Sequence, residues 1–306
     1  MYIMAAEMLN TKVADKPSGY MPTLDGWRAL SIILVLFFHS NISGVTSIFR
    51  PVLEKLNQYG QSGVFIFFAI SGLLICGRLL QEEKKSGRIN LPKFYIRRAF
   101  RILPAALLYL LTVASLASIL RVTKLEWFSA LFFFRNYSVT GPAQAYWFTG
   151  HFWSLSVEEH FYLLLPGIMF FFPKRRVFVL AGLTCGVILW RAWVRSHFNT
   201  VPIGYRTDTV LDSLLIAALV AIAANHDQYS AYLRRLLTPA VSIGLLESYV
   251  MLLVTDIRLS IALKAVVLPL LVLSTSWNPR SALGRVLELA PLRSAGKLSY
   301  SLYLWQ

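Results

Sequence analysis

The feature that most constrains this chain is a succession of apolar runs, each long enough, or nearly so, to cross hydrocarbon. They fall at about 29–45, 60–80, 102–120, 153–172, 177–195, 208–225, 236–254 and 259–275, against the roughly 20 apolar residues that a membrane helix needs. Of the 306 residues 56% are hydrophobic and 15% charged, where soluble domains carry about 25% charged residues. Lys and Arg exceed Asp and Glu by 30 to 15. The basic residues punctuate the apolar runs and form no continuous basic face, so the expected partner is membrane lipid and not nucleic acid.

Unpaired backbone is not tolerated in lipid, so the fold class is all-α: a polytopic helix bundle of about nine to ten membrane segments in one domain, 1–306. The runs are continuous and do not alternate, which excludes a β-barrel. Residues 1–27 read as a cytoplasmic tail with no cleavable signal. The last run starts at Lys297 and stops at Gln306, about half a membrane helix, so the C-terminal span is expected to be incomplete. The short piece 125–134 (LEWFSALFFF) is read as non-crossing. Lys12 and Lys16, eight Lys/Arg in 78–101, Lys174-Arg175-Arg176, Arg234-Arg235 and Arg280 to Lys297 then share one side, taken as cytoplasmic. The expected location is the inner (plasma) membrane. Cys76 and Cys185 lie in separate apolar runs, with no spacing that suggests a disulfide or a metal site, and no Cys/His cluster offers zinc ligands.

Charged groups inside spans are expensive and mark function. Arg28 and His39 are eleven positions apart, about 1100° of helix, so they share a face at a separation of about 16 Å. In 151–167 (HFWSLSVEEHFYLLLPG), Ser154, Glu158 and Tyr162 recur every four positions on one face. Glu158, beside Ser154 and His160, is a candidate acid, base or hydroxyl-orienting group. Ser156 and Glu159 match a helix-capping box. Arg97, Arg98 and Arg101 in FYIRRAFRILP are either topology anchors or a phosphate clamp. Asp208 reads as a helix cap, Asp212 lies deeper, and Glu247 and Lys264 are candidates for a buried pair. The small residues of GVFIFFAISGLLICG and AGLTCGVILW suggest close helix packing.

Together LDGWRALSIILVLFFH, FFAISGLLI, FYIRRAFRILPA, WSLSVEEHFYLLLP, RTDTVLDSLLIA and GKLSYSLYLW resemble, in order, the hallmark stretches of the membrane acyltransferase-3 family, over residues 20–306. The resemblance implies O-acylation of polysaccharides or other sugar-containing acceptors. Arg28 and His39 match the family's Arg-x10-His pair, essential for transfer. Arg98 and Arg101 match its Arg-x-x-Arg motif, associated with the acyl-CoA donor, here most simply acetyl-CoA, and Arg97 adjoins them. Ser154 and Glu158 match its Ser-x-x-x-Glu motif. Phe65 replaces an acidic residue common in the family, and Gln306 a histidine. No soluble hydrolase-like domain is recognisable, which implies a stand-alone membrane form unless the missing C-terminal end holds such a domain. In the expected mechanism the arginines hold the CoA phosphates. His39 acts as base or carries the acyl group, with Glu158 orienting its imidazole. A secondary transporter of a small anionic or glycan substrate is the alternative, but the chain lacks the matched halves that such folds show; a non-catalytic scaffold gives no reason for Arg28 to share the His39 face.

Overall fold

The computed structural model describes residues 21–39, 59–120, 122–138, 148–198, 203–254 and 260–306. Among these every regular element is a helix. Most of the expected cytoplasmic tail and the end of the first expected span, 40–45, lie outside the described residues. The elements are α1 (Pro22–His39), α2 (Gln61–Ser86), α3 (Leu91–Ser115), α4 (Ala117–Leu120), α5 (Lys124–Leu131), α6 (Phe152–Phe171) and α7 (Arg176–His197). There follow α8 (Thr207–Val210), α9 (Asp212–Asn225), α10 (Asp227–Leu236), α11 (Pro239–Val254), α12 (Ser260–Trp277), α13 (Ala282–Leu287) and α14 (Ala290–Leu304).

Local chemistry sets the helix ends. Gly87, at φ 71°, stops α2, and its N–H bonds the Glu83 carbonyl; the left-handed region favours glycine there. Asn90 starts α3 by accepting the Lys93 N–H. A capping box does occur, but at Thr123 and Glu126 before α5. The expected box at Ser156 and Glu159 does not form: α6 begins four residues earlier, at Phe152, and Ser156 Oγ donates to the Phe152 carbonyl.

The expected count of nine to ten membrane segments is not supported. Among the described residues four helices, α2, α3, α7 and α12, are long and apolar enough to cross, or five if α10 and α11, bent by 79°, form one span. The physical reason is visible in the others. Helices α1 and α6 have 18 and 20 residues, but α1 carries Asp25, Arg28 and His39 and α6 carries Glu158, Glu159 and His160, so the polar groups interrupt runs that are otherwise long enough to cross. At 14 and 15 residues, α9 and α14 are short. Helix α5 has eight residues, about 12 Å of rise, too short to cross, in line with the non-crossing reading of 125–134. Beyond it the chain turns at Phe133, φ 56°, onto a fully buried Arg135 that binds Glu126 at 3.3 Å and Thr149 at 3.1 Å.

The long apolar helix α2 is central and packs on α1, α9 and α12. A side chain at Gly72 would come within 2.5 Å of Ala217 Cβ and 2.6 Å of the Leu214 carbonyl, so this face is the expected small-residue seam. In α7, Gly182 and Gly186 have nothing within 4 Å, and that part of the packing expectation fails. Helices α3 and α7 present exposed Leu108, Leu111, Phe178 and Leu189 outward, the surface expected against lipid acyl chains. Helix α7 is tied inward by Arg191, which donates to both carboxylate oxygens of Asp212 at 2.7 and 2.8 Å and to the Thr209 carbonyl. Asp212 is therefore half of a buried ion pair joining α7 to α9. Glu247 and Lys264 make no such pair with one another among the described ion pairs.

Candidate functional site

Helix α14 lies against α1 with Gly296 directly on the Asp25 backbone; a Cβ there would sit 1.8 Å from the Asp25 carbonyl oxygen. This contact sets Tyr300 and Tyr303 over the polar face of α1. On the inner side of that layer is a cavity of about 110 Å³ lined by Arg28, Arg78, Arg98, Arg101, Ser154 and Glu158, among others. Five of the seven residues expected from the sequence thus meet at one place, from the three helices α1, α3 and α6, and Arg78 joins them from α2.

Four guanidinium groups face one carboxylate around this cavity, an arrangement that favours an anionic ligand. Arg28 is held by Asp25 at 2.8 Å. The Arg98 guanidinium lies 3.7 Å over the Tyr162 ring, and its Nε is buried with no partner. Arg97 departs from the group. It pairs with Glu82 at 3.0 Å and lines a smaller neighbouring hollow shared with Arg78, Arg98 and Arg101.

Glu158 accepts from Ser71 Oγ at 2.8 Å and from Tyr162 Oη at 2.9 Å. The four-residue spacing from Glu158 to Tyr162 therefore produces the contact it implies. It does not produce the expected contact with His39, because Glu158 belongs to the arginine cavity. His160 turns away too, its Nδ1 lying 2.6 Å from Thr207 Oγ1. Glu159 has a buried, unpartnered Oε1 and caps nothing. Asp208 is fixed by Arg206 and Trp190; its hydrogen bonds push the Arg206 pKa further up.

Ser154 touches neither Glu158 nor His39. Its Oγ lies 2.6 Å from Tyr303 Oη, which also reaches the His151 carbonyl at 2.9 Å. The Ser154 hydroxyl also reaches the His151 carbonyl, at 3.4 Å, so the two hydroxyls share one acceptor and either can donate to the other.

His39 lines a second chamber of about 120 Å³ with His151, Gln61, Trp153, Tyr205 and Tyr303. Its Nδ1 is 2.9 Å from the Val35 carbonyl. That nitrogen must donate, which fixes the neutral tautomer and makes Nε2 the basic nitrogen. Tyr303 and Val64 line both chambers. Arg28 and His39 thus stand at the two ends of one helix face, each in its own chamber, with Tyr303 and Val64 forming the wall between.

Three participants were not picked out from the sequence. Arg78 is seven positions after Ser71, two turns along α2 and on the same face, a signal that the run FFAISGLLICGR contains. Tyr303 and His151 carry no such signal, since their importance arises from packing between α14 and α6. Among the described residues no group of His, Cys, Asp or Glu could hold a metal ion, and Cys76 and Cys185 are both free thiols.

A family model described as an acyltransferase domain matches residues 21–306. The O-acetyltransferase OatA of Staphylococcus aureus (strain NCTC 8325 / PS 47) is 26% identical over 94% of this chain and 50% of its own length. A putative O-acetyltransferase, SAS0844, of S. aureus strain MSSA476 is 28% identical over 95% of this chain and 50% of its own. The chain spans about half the length of these curated relatives. No solved structure matches it. With a family model covering nearly the whole chain and the motif residues gathered around two adjoining chambers, this membrane protein belongs to the acyltransferase-3 family.

Proposed function

We propose that the protein is a membrane O-acetyltransferase that moves an acetyl group from cytoplasmic acetyl-CoA to a hydroxyl of a sugar-containing acceptor on the opposite side. The observation that carries this reading is the pair of chambers divided by Tyr303 and Val64, one lined by arginines and the other by His39. CoA is an anionic donor with a long, thin arm. Its phosphates suit Arg78, Arg98 and Arg101, with Arg28 further along the path, and the thioester end points toward Tyr303. Arg97, held by Glu82, is left as a weaker contributor at the mouth. The two S. aureus relatives support acetyl as the group transferred, and the gathering of basic clusters at the arginine end supports that end as the cytoplasmic one.

In the reaction the basic Nε2 of His39 takes the proton of the acceptor hydroxyl as its oxygen attacks the thioester carbonyl. A C–O bond forms and the C–S bond breaks. The proton then passes from the imidazole to the departing thiolate, so one acetyl ester and one CoA thiol are produced. Tyr303 must yield for the thioester to reach His39, and its hydrogen bonds to Ser154 and the His151 carbonyl set its resting position.

The test is a sided one. Acetyl-CoA labelled in the acetyl group is given to inside-out and to right-side-out membrane vesicles containing the protein. Label entering the glycan fraction only with inside-out vesicles supports the reading; equal labelling from both faces, or none from either, contradicts it.

A further inference from the structure

We propose that His151 is a second catalytic imidazole, whose Nε2 donates a hydrogen bond to the acyl carbonyl oxygen as negative charge develops on it. This rests on the acetyl-transfer reading above and assigns a residue that none of the sequence motifs marked.

His151 is only 5% exposed, and its Nε2 is buried without a hydrogen-bond partner. Leaving a buried donor or acceptor unsatisfied is costly. The site is not slack. The ring stands edge-on to Tyr109 at 5.3 Å and to Tyr303 at 5.7 Å, and it packs on Phe152 at 5.0 Å. Its backbone carbonyl is pinned by Tyr303 Oη. A rigidly held imidazole with an unpaired nitrogen, lining the same chamber as His39, has the properties of a preorganised donor awaiting a substrate atom.

The two imidazoles are set up differently. The Val35 carbonyl holds the proton of His39 on Nδ1, which makes that ring a base. His151 has no carboxylate or carbonyl directing its ring among the described residues, and its aromatic enclosure disfavours a charged form. A neutral ring with its proton on Nε2 supplies the donor that His39 in its basic tautomer does not. When the acceptor oxygen bonds to the carbonyl carbon, the carbonyl oxygen gains charge and the His151 N–H stabilises it. The charge returns as the C–S bond breaks, so His151 ends the cycle with the proton it began with.

The experiment compares wild type, His151→Gln, His151→Leu and His39→Ala at matched membrane levels in inside-out vesicles supplied with labelled acetyl-CoA. Thermal melting in detergent checks each fold. Glutamine keeps an N–H donor near the Nε2 position but provides no base; leucine fills the space and provides neither. The expected result is a loss in kcat on the order of 100-fold for His151→Leu, with KM for acetyl-CoA unchanged and with His151→Gln recovering most of the rate. Near-normal turnover in His151→Leu overturns the proposal. Equal loss in the Leu and Gln variants also overturns it, assigning the ring a basic or packing role. Absence of transfer in wild type, with the protein folded, would remove the acetyl-transfer reading itself and this assignment with it.

Discussion

Ser154 Oγ and Tyr303 Oη lie 2.6 Å apart at the wall that divides the arginine-lined cavity from the His39 chamber. The serine of the Ser-x-x-x-Glu motif, itself in the lining of that cavity, thereby holds α14. Its partner in the motif, Glu158, is engaged by Ser71 and Tyr162 on the arginine side of the wall. The two motif residues share one face of α6 and serve different neighbours.

Ser154→Ala and Tyr303→Phe should therefore differ. Tyr303 keeps its bond to the His151 carbonyl when Ser154 is lost, so Ser154→Ala should cost about 1 kcal/mol of stability or less. Tyr303→Phe removes both bonds, leaves the His151 carbonyl without that donor, and should cost more. Melting temperatures in detergent, read beside transfer rates, check the order; a more stable Tyr303→Phe would contradict it.

Arg78 and Arg97 both line the small hollow beside Glu82, and only Arg78 also lines the cavity that holds Glu158. Arg78→Gln should raise KM for acetyl-CoA by roughly tenfold, the scale of one lost hydrogen bond to a charged group, with kcat little changed. Arg97→Gln should move KM by less. The two KM values measured side by side decide the matter, and the reverse order would rule out the placement of the phosphates.

Glu158→Gln keeps the size of the side chain but not its charge. An amide has one oxygen to accept from Ser71 and Tyr162 where the carboxylate offers two, and among the described residues the cavity lining loses its one carboxylate against four arginines. The expected loss of stability is about 1.5–3 kcal/mol, with weaker transfer. Unchanged melting would show that these bonds contribute little.

Arg191 and Asp212 form the buried pair that fastens α7 to α9. Arg191→Met alone strands a buried carboxylate and should destabilise the fold by about 3–5 kcal/mol. Adding Asp212→Leu should recover most of that loss. Thermal melting of the single and double variants tests it, and a double variant no more stable than the single would refute the account of this pair.

Much of this was legible in the sequence because helical geometry transmits it directly. Arg28 and His39 lie on one helix, so eleven residues of spacing fixed both their shared face and their distance. Arg98 and Arg101 follow the same logic on α3. The segment count was less legible, since α1 and α6 combine spanning length with the charges of the site and α9 is short. What spacing did not transmit is contact between helices. Glu158 was expected at His39, but Ser71 of α2 holds it on the other side of Tyr303. Tyr303 reaches His151 from α14, the helix that Gly296 lets rest on the α1 backbone, and both relations join residues far apart in the chain. Ser156 and Glu159 matched a capping box in pattern, but α6 had already begun at Phe152.

The central claim is that an acetyl group leaves the arginine chamber and reaches an acceptor at His39. The most direct measurement is mass spectrometry of surface glycans from cells expressing wild type or His39→Ala at equal membrane levels. The account predicts a mass gain of one acetyl group per modified sugar with wild type and none with His39→Ala. Acetylation persisting at the wild-type level without the His39 imidazole would contradict it.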